Sequence, residues 1–598
     1  MTGAEIEIRS GDAAKRVLLV DYLDAESDER AHHAAYAWIK GLRNIDLEGA
    51  PLRDRFTARG DSLWWFTELY LHKSMVVLDI FRAVAALNAL MDREAPRRIT
   101  TIAGSPVVAH LAAHIAAGRG IAAGRGIRTA TWLTRLAQLD LRARRLHLSG
   151  LAARWRRRRD VPAGRVDVAA FVHRAFWRSG GLGSAESYIG AVLTELERRL
   201  GVKAIHYVGV GPTMNFRARG RWGRGRQKAE LTPVERFAPL GALDESRRAW
   251  RQRYEDFRRL AGAAAIRDTS HIGGVDCWPI VREQLAGVAW LQWPWSVRAM
   301  DEARAALDAL DPRVVVTYAE AGGWGRALVL EARRRGIPSS GIQHGFIYRH
   351  WLNYLHEPDE MAPSATPPFP APTRTLLFDD YTARHLSERG RFPADGLRVT
   401  GSVRLDELSA EMAALPTDAA GRLRRDLRID PASALIVLAT KEREARAHLG
   451  RFFDAAAKMP DACVVVKPHP AETAEAYSQF AARAHVRIVD ADTSLAGLLA
   501  AARAVVTVNS TVAIDAGALG VPALAIGLPN NLSPLVELGA IAGAPDPGAM
   551  EVLLHRILYD EEFRRQLAER RRTVFGARRS PGVAAARAGD AILELIRR

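Results

Sequence analysis

The chain has 598 residues, 48% of them apolar and 26% charged, with a formal net charge of +17. That length exceeds one ordinary hydrophobic core, and the composition excludes a disordered or fibrous chain in favour of a globular one with two or more domains. Its two cysteines, Cys277 and Cys463, exclude a disulfide framework and a cysteine-built zinc site.

In chain order, residues 16–22 are the first predicted strand, followed by a helix that includes 31–41. Residues 75–91 are apolar but broken by Asp79, Arg82 and Asn88, which makes them an amphipathic helix and not a membrane span. Residues 1–10 lack the order of a signal peptide, so a cytoplasmic protein is expected. A strand at 99–103 turns through Gly104-Ser105-Pro106 into a helix at 107–117, and this βα alternation predicts a parallel sheet. A six-residue tandem copy, 116–121 and 122–127, is a duplication within a loop.

Trp132, Leu136, Leu139, Leu146 and Trp155 recur near helical spacing, with Arg154 and Arg156 to Arg159 crowded at the end. Such a helix suits an anionic membrane face, and equally a solvated cover over the N-terminal sheet. Residues 166–200 are predicted helical and 204–210 a strand. The arginine-rich run 217–226, with one tryptophan, has the composition of an RNA-binding tract, of a loop beside an anionic acceptor, or of plain surface. Helices are predicted at 245–262 and 279–309, the second carrying Trp290, Trp293 and Trp295, which read as core or interdomain packing with a sugar platform as the alternative. Strands at 314–318 and 337–342 end in Glu320 and in Gln343-His344-Gly345, and the proline-rich stretch 358–372 reads as a linker. The βα rhythm then restarts, with strands at 375–378, 397–401, 435–440, 463–466, 486–489, 504–508 and 523–526.

Chemistry concentrates at the ends of those later strands. Cys463 to Val466 is stopped by two prolines, which leaves Lys467 and His469 at its carboxyl end, and 504–508 passes into a helix at Asn509, Ser510 and Thr511. Open α/β sheets bind ligands at such ends, and a cation, an imidazole and hydroxyls at a helix start suit a phosphate-bearing ligand. Only eight of the 85 basic residues are lysine, so a lysine is a less incidental choice than an arginine; Lys441 and Lys467 both sit at strand ends. Asp515 lies one helical turn after Thr511, on the same face. Glu320 and His344 are the candidates for a general base toward an acceptor hydroxyl, each with a purely structural alternative.

Gln343-His344-Gly345, the stretch Thr400-Gly401-Ser402-Val403-Arg404-Leu405-Asp406, Lys467-Pro468-His469-Pro470, Asn509-Ser510-Thr511, and Asp515 followed by Gly520-Val521-Pro522 occur in that order over residues 314–540. Together they resemble the motifs of GT-B glycosyltransferases of bacterial surface-polysaccharide synthesis. That group includes the Kdo and sialic-acid polymerising enzymes of capsules and the CDP-glycerol glycerophosphotransferases of wall polymers. The N-terminal third carries no matching motif. The resemblance implies an α/β, GT-B-like fold, two Rossmann-like domains facing a central cleft, with helical additions in the N-terminal half. The expected divisions are an acceptor domain at 1–357 with helical and basic insertions near 130–310, a linker at 358–372, a nucleotide-donor domain at 373–582 and a final helix at 583–598.

By the same resemblance, Lys467, His469, Ser510 and Thr511 contact donor phosphates and Asp515 the ribose hydroxyls, where many relatives have the longer glutamate. Asn509, Lys441 and Arg404 complete the expected donor side. The implied function is transfer of a sugar from a nucleotide-activated donor to a surface-polysaccharide or lipid-linked acceptor, at the inner face of the membrane, with no cofactor and no specific nucleic acid; no Asp-x-Asp metal motif is read at a strand end, so no obligatory metal is expected. The Thr400 to Asp406 stretch also resembles nucleotide-sugar 2-epimerases, and the +17 charge keeps a nucleic-acid-binding protein as a third reading.

Overall fold

Runs such as Val314-Val315-Val316 and Val464-Val465-Val466 are buried on both faces only where helices cover a parallel sheet on each side. The computed structural model holds two such sheets; it describes residues 3–10, 13–124, 126, 131–155, 164–177, 186–211, 231–318, 320–362, 368–469, 472–576 and 582–597. The first sheet has seven parallel strands in the order Leu397–Val399, Arg374–Leu377, Ser339–Ile342, Val314–Tyr318, Val168–His173, Ile205–Val210 and Leu231–Pro233. The second has six, in the order Val486–Ile488, Ala462–Pro468, Ala434–Thr440, Ala504–Thr507, Ala523–Ile526 and Ala542–Ala544.

In both sheets the chain enters at a central strand, builds out to one edge, then returns to the centre and builds to the other. This is the doubly wound order, and it opens a crevice where the direction reverses. The crevices lie beyond His173 and Tyr318 in the first sheet, and beyond Thr440 and Thr507 in the second. The architecture is therefore the expected one: α/β and GT-B-like, with helical additions to the N-terminal half.

Three expectations about the chain's course are corrected. Residues 166–200 are not one helix, because Val168–His173 is an interior strand of the first sheet, next to the central Val314–Tyr318, and the helix is confined to Gly190–Leu200. Ala169 and Ala170 favour a helix locally, but a slot between two parallel neighbours decides their conformation. Second, Arg374–Leu377 and Leu397–Val399 extend the first sheet, so the proline-rich 358–372 stretch is not the interdomain linker. Proline marks where regular structure stops, without saying which sheet the chain re-enters. The crossing comes at Thr400-Gly401-Ser402. Gly401 has φ +103, a conformation for which glycine is suited, and Ser402 Oγ caps the next helix by accepting from Leu405 N at 3.2 Å.

The last helix, Ala584–Arg597, returns to the first domain and packs on Gly190–Leu200. Its start is tied to the first crossing, since Asp406 Oδ2 accepts from Ala584 N at 2.9 Å. Third, the N-terminal layer is not a parallel βαβ unit. An unpredicted strand, Glu5–Ser10, lies between Ala13–Leu18 and Arg98–Ala103 and pairs antiparallel with both.

No single described helix is long and apolar enough to cross a membrane; the pair Trp64–Lys73 and Val76–Glu94 passes that test only together, bent by 44°. Trp64, Trp65, Phe66, Ile80 and Leu87 of that pair are core residues. The basic helix Trp132–Trp155 packs Leu136, Leu139 and Leu146 against the first core, while Arg135 pairs with Glu283 at 2.6 Å and Arg154 with Glu302. That stripe faces protein, so it is not the one a membrane would meet. Arg156 to Arg159 and the 217–226 run lie outside the described residues.

Candidate active site

The first wall is built at the carboxyl ends of the first sheet. Gln343 is buried; its Nε2 donates to Gly345 O at 2.9 Å and its Oε1 accepts from Phe378 N at 2.8 Å. These bonds clamp the Gln-His-Gly turn and present the half-buried His344, whose ring lies 5.4 Å from Tyr318 and edge-on to Tyr188 at 5.6 Å. His173 ends the strand next to the central one, its ring 5.8 Å from Tyr318 and its backbone N–H donating to Tyr318 Oη at 3.1 Å.

Burial, with Lys73 and His173 as like charges, pushes His344 down to about 4. Burial with Lys73 and Arg174 does the same to His173, also to about 4. Both imidazoles are thus neutral near pH 7 and hold a lone pair for a hydroxyl proton. The sequence reading missed His173, Tyr318 and Tyr188. The one signal for His173 was an apolar run, 168–172, ending in a polar residue.

Glu320 does not face the cleft. It is 2% exposed, accepts from Tyr354 Oη at 3.1 Å, and lies so close to Gly341 that a Cβ there would stand 2.6 Å from its Cγ. Burial raises its carboxyl group above the usual range. The turn after Val314–Tyr318 folds this side chain back over the neighbouring strand, which makes it interior packing and not an accessible base.

The second wall carries the residues expected on the donor side, with two departures, Lys467 and Asp515. Lys467 Nζ donates to Ala491 O at 2.7 Å, so it anchors the loop after the edge strand Val486–Ile488 and turns from the crevice. That loop holds Asp490-Ala491-Asp492, which corrects the expectation that no Asp-x-Asp stands at a strand end. Among the described residues no group of three His, Cys, Asp or Glu side chains is placed to share a metal ion.

Lys441, half-exposed, reaches Glu444 at 3.3 Å and, together with burial, holds the His469 imidazole below its ordinary value. The start of helix Glu442–Ala457 is already occupied, since Glu442 N donates to Glu472 Oε2 at 3.1 Å. Asn509 Oδ1 accepts from Asn531 N at 2.9 Å and Ser510 Oγ from Val512 N at 3.3 Å.

Arg404 joins the walls. Its Nη1 donates to Thr511 Oγ1 at 3.1 Å, and its Nη2 lies 2.8 Å from Asp515 Oδ2, an ion-pair contact without hydrogen-bond alignment. It also lines a small cavity with His344, Gln343 and Tyr188. Asp515 is buried, which raises its carboxyl group despite Arg404 and Arg571 nearby, and it faces Arg404 instead of an open strand end. Farther along the rim, Arg349 pairs bidentately with Glu537 at 2.6 and 2.9 Å and reaches Glu29 at 2.9 Å, a second tie between the domains.

No family model and no curated protein sequence matches the chain. Solved structures of similar architecture include a UDP-N-acetylglucosamine 2-epimerase from Listeria monocytogenes described as putative, 14% identical over 71% of this chain and 94% of that one, with a TM-score of 0.41. The calicheamicin glycosyltransferase CalG4 is 15% identical over 72% and 99%, with a TM-score of 0.41. The wall teichoic acid polymerase TagF, in a structure with CDPG, is 11% identical over 78% and 99%, with a TM-score of 0.39. At such identities the likeness is one of architecture, and the site's chemistry stands on its own residues.

Proposed function

We propose that the chain is a glycosyltransferase that moves a sugar from a nucleotide-activated donor to a hydroxyl of a surface-polysaccharide or lipid-linked acceptor. One observation carries this reading: two doubly wound sheets meet at a cleft with a neutral imidazole on one wall and a hydroxyl–guanidinium cluster on the other. His344 takes the acceptor proton while the acceptor oxygen bonds to the anomeric carbon. The bond from that carbon to the donor phosphate breaks, and the nucleotide leaves with the electron pair. Ser510, Thr511, Lys441 and His469 line the end where that charge develops, and Arg404, held between Thr511 and Asp515, adds a positive charge there.

The test is a thermal-shift series with UDP, CDP, GDP and CMP on the whole chain. One nucleotide stabilises the wild type, by about 2.7 kcal/mol at a hundredfold excess over its Kd, and Arg404→Ala loses most of that shift. Stabilisation by none of the four, or a shift untouched by Arg404→Ala, removes this donor site. Conversion of free UDP-N-acetylglucosamine to its epimer without an acceptor assigns the chain to the epimerases instead.

An acceptor held in a lipid membrane fits the outer face of helix Trp132–Trp155. Leu133, Leu141 and Leu148 are exposed there along one stripe, beside the exposed Arg144 and Arg145. Co-sedimentation with phosphatidylglycerol vesicles, and little with phosphatidylcholine vesicles, is expected, and Leu133→Asp with Leu148→Asp abolishes it. Equal recovery on both lipids, or an unaffected double variant, rules this docking face out.

A further inference from the structure

The stretch that follows the Gln-His-Gly turn, Phe346 to Trp351, is gripped by both halves of the molecule. Phe346 turns to the second core, its ring stacked 5.9 Å from Tyr381, which lies 5.9 Å from Phe575. Ile347, 1% exposed, turns the other way into the first core. Tyr348 stacks on Trp351 at 5.6 Å, and Trp351 N donates to Tyr348 O at 3.0 Å, closing a tight turn with Arg349 and His350 at its tip. His350 stacks on His32 of helix Ala25–Gly41 at 4.0 Å, and its Nε2 lies 2.8 Å from Glu29 Oε2. Arg349 Nη2 donates to the same Glu29 oxygen, while its two terminal nitrogens reach both carboxylate oxygens of Glu537 in the second domain.

Glu537 is itself tied to the donor wall. It ends helix Ser533–Glu537, whose start is fixed by Ser533 Oγ accepting from Asn530 N at 2.8 Å. The next residue, Asn531, donates its N–H to Asn509 Oδ1, beside Ser510 and Thr511. Contacts therefore run from Asn509 through this short helix to Arg349, and from there five residues back along the chain to His344. Such a path couples two sites only where one of its members has two arrangements. Arg349 has them, because its carboxylates belong to different domains: moving the domains apart leaves it on Glu29 alone. Stability does not account for the pair. Arg349 and Glu29 side chains are 30% and 31% exposed and Glu537 56%, a setting in which water screens ion pairs. A bidentate fork nevertheless fixes direction as well as distance, and direction is what a proton acceptor on the same loop needs.

We propose that Arg349 is a positioning residue: by holding Glu29 and Glu537 at once it ties the donor wall to the loop that carries His344, and so aims the imidazole at the acceptor oxygen. Its role in turnover rests on the transferase reading; the mechanical link between the two walls does not.

Hydrogen exchange of the whole chain at pH 7, without ligand, tests the link. Amides of 343–351 exchange faster by about threefold or more in Arg349→Met and also in Glu537→Gln, a change made in the other domain. The double variant exchanges no faster than the faster of the two, as expected of partners in one contact. Unchanged exchange in Glu537→Gln overturns the link. Turnover tests the positioning. Arg349→Met lowers kcat by about tenfold to a hundredfold and alters KM for the donor by less than about threefold. Arg349→Lys keeps the charge, loses the fork and recovers only part of the rate. The nucleotide-induced thermal shift of these variants stays at the wild-type value, which shows that the donor wall is folded. A purely structural arginine would lower the melting temperature and leave kcat alone, so retention of more than about half of wild-type kcat in Arg349→Met overturns the positioning role. Stabilisation by none of UDP, CDP, GDP and CMP removes the transferase reading, and the exchange result alone then decides whether Arg349 joins the walls.

Discussion

Lys40→Met is expected to destabilise the first domain by about 3–5 kcal/mol. Lys40 is 2% exposed, with its Nζ at 2.5 Å from Glu68 Oε2 and 2.6 Å from Glu360 Oε2. Glu68 also receives Arg326 Nη1 at 2.6 Å, and Glu360 Oε1 accepts from Trp64 Nε1 at 3.1 Å. Two cations thus contact two carboxylates in a space closed to solvent, with Arg43 Nε farther off at 4.0 Å from Glu360 Oε1. Methionine fills the lysine's volume but leaves Glu360 with only the more distant Arg43 and Glu68 with Arg326, and the poorly compensated charge sets the cost. Burial alone would raise Glu360, yet Lys40 holds it below the usual glutamate value, so this part of the stability is present above the ordinary glutamate range and lost as pH falls through the folded value.

Urea unfolding at pH 7 measures the effect, and a loss smaller than about 1 kcal/mol would show that the network is not coupled in this way. Adding Glu360→Gln should recover part of the loss, because it removes the stranded charge. The network ties Ala25–Gly41, Trp64–Lys73 and Gly323–Arg334 together, so the same change loosens the helix that ends in Lys73.

That network shows what a sequence does and does not reveal. Lysine scarcity directed attention to Lys467, which holds a loop, and away from Lys40, which balances the interior. Lys40 finds Glu360 across 320 residues of chain, a pairing no local pattern encodes. The second sheet was legible because its strands are unbroken β-branched runs ending in polar residues. The first was half-legible: Val168–His173 contains two alanines, so its strand and the histidine at its end were both missed. The spacing of Thr511 and Asp515 was read correctly, yet Arg404, brought in by the crossing, faces Asp515 and changes what it can bind. Glu320 was placed at the right strand end and pointed the wrong way, because a turn's direction depends on the room left at Gly341.

His344→Asn is expected to lower kcat by about 10²–10⁴, with little change in KM for the donor nucleotide sugar. Asparagine keeps a polar group in the clamped turn but cannot accept the acceptor's proton. The group whose neutral form is needed loses activity as pH falls through its pKa. For the free enzyme, with His344 at about 4, kcat/KM should stay level from neutral pH down to about 5 and fall below it. A bound donor brings negative charge into the cleft and favours the imidazolium, so the acid limb of kcat lies at higher pH than that of kcat/KM. His173, also held at about 4, is the control: His173→Asn should cost far less, because its ring packs on Tyr318 behind the turn. Retention of more than a tenth of wild-type kcat in His344→Asn, or a larger loss in His173→Asn, would move the base to the second imidazole. Lys73 gives an independent reading of the same assignment. Its charge is one cause of the depressed His344 value, so Lys73→Met should shift the acid limb to higher pH, whereas Lys73→Arg should leave it in place. A limb that ignores both variants would separate Lys73 from the proton transfer.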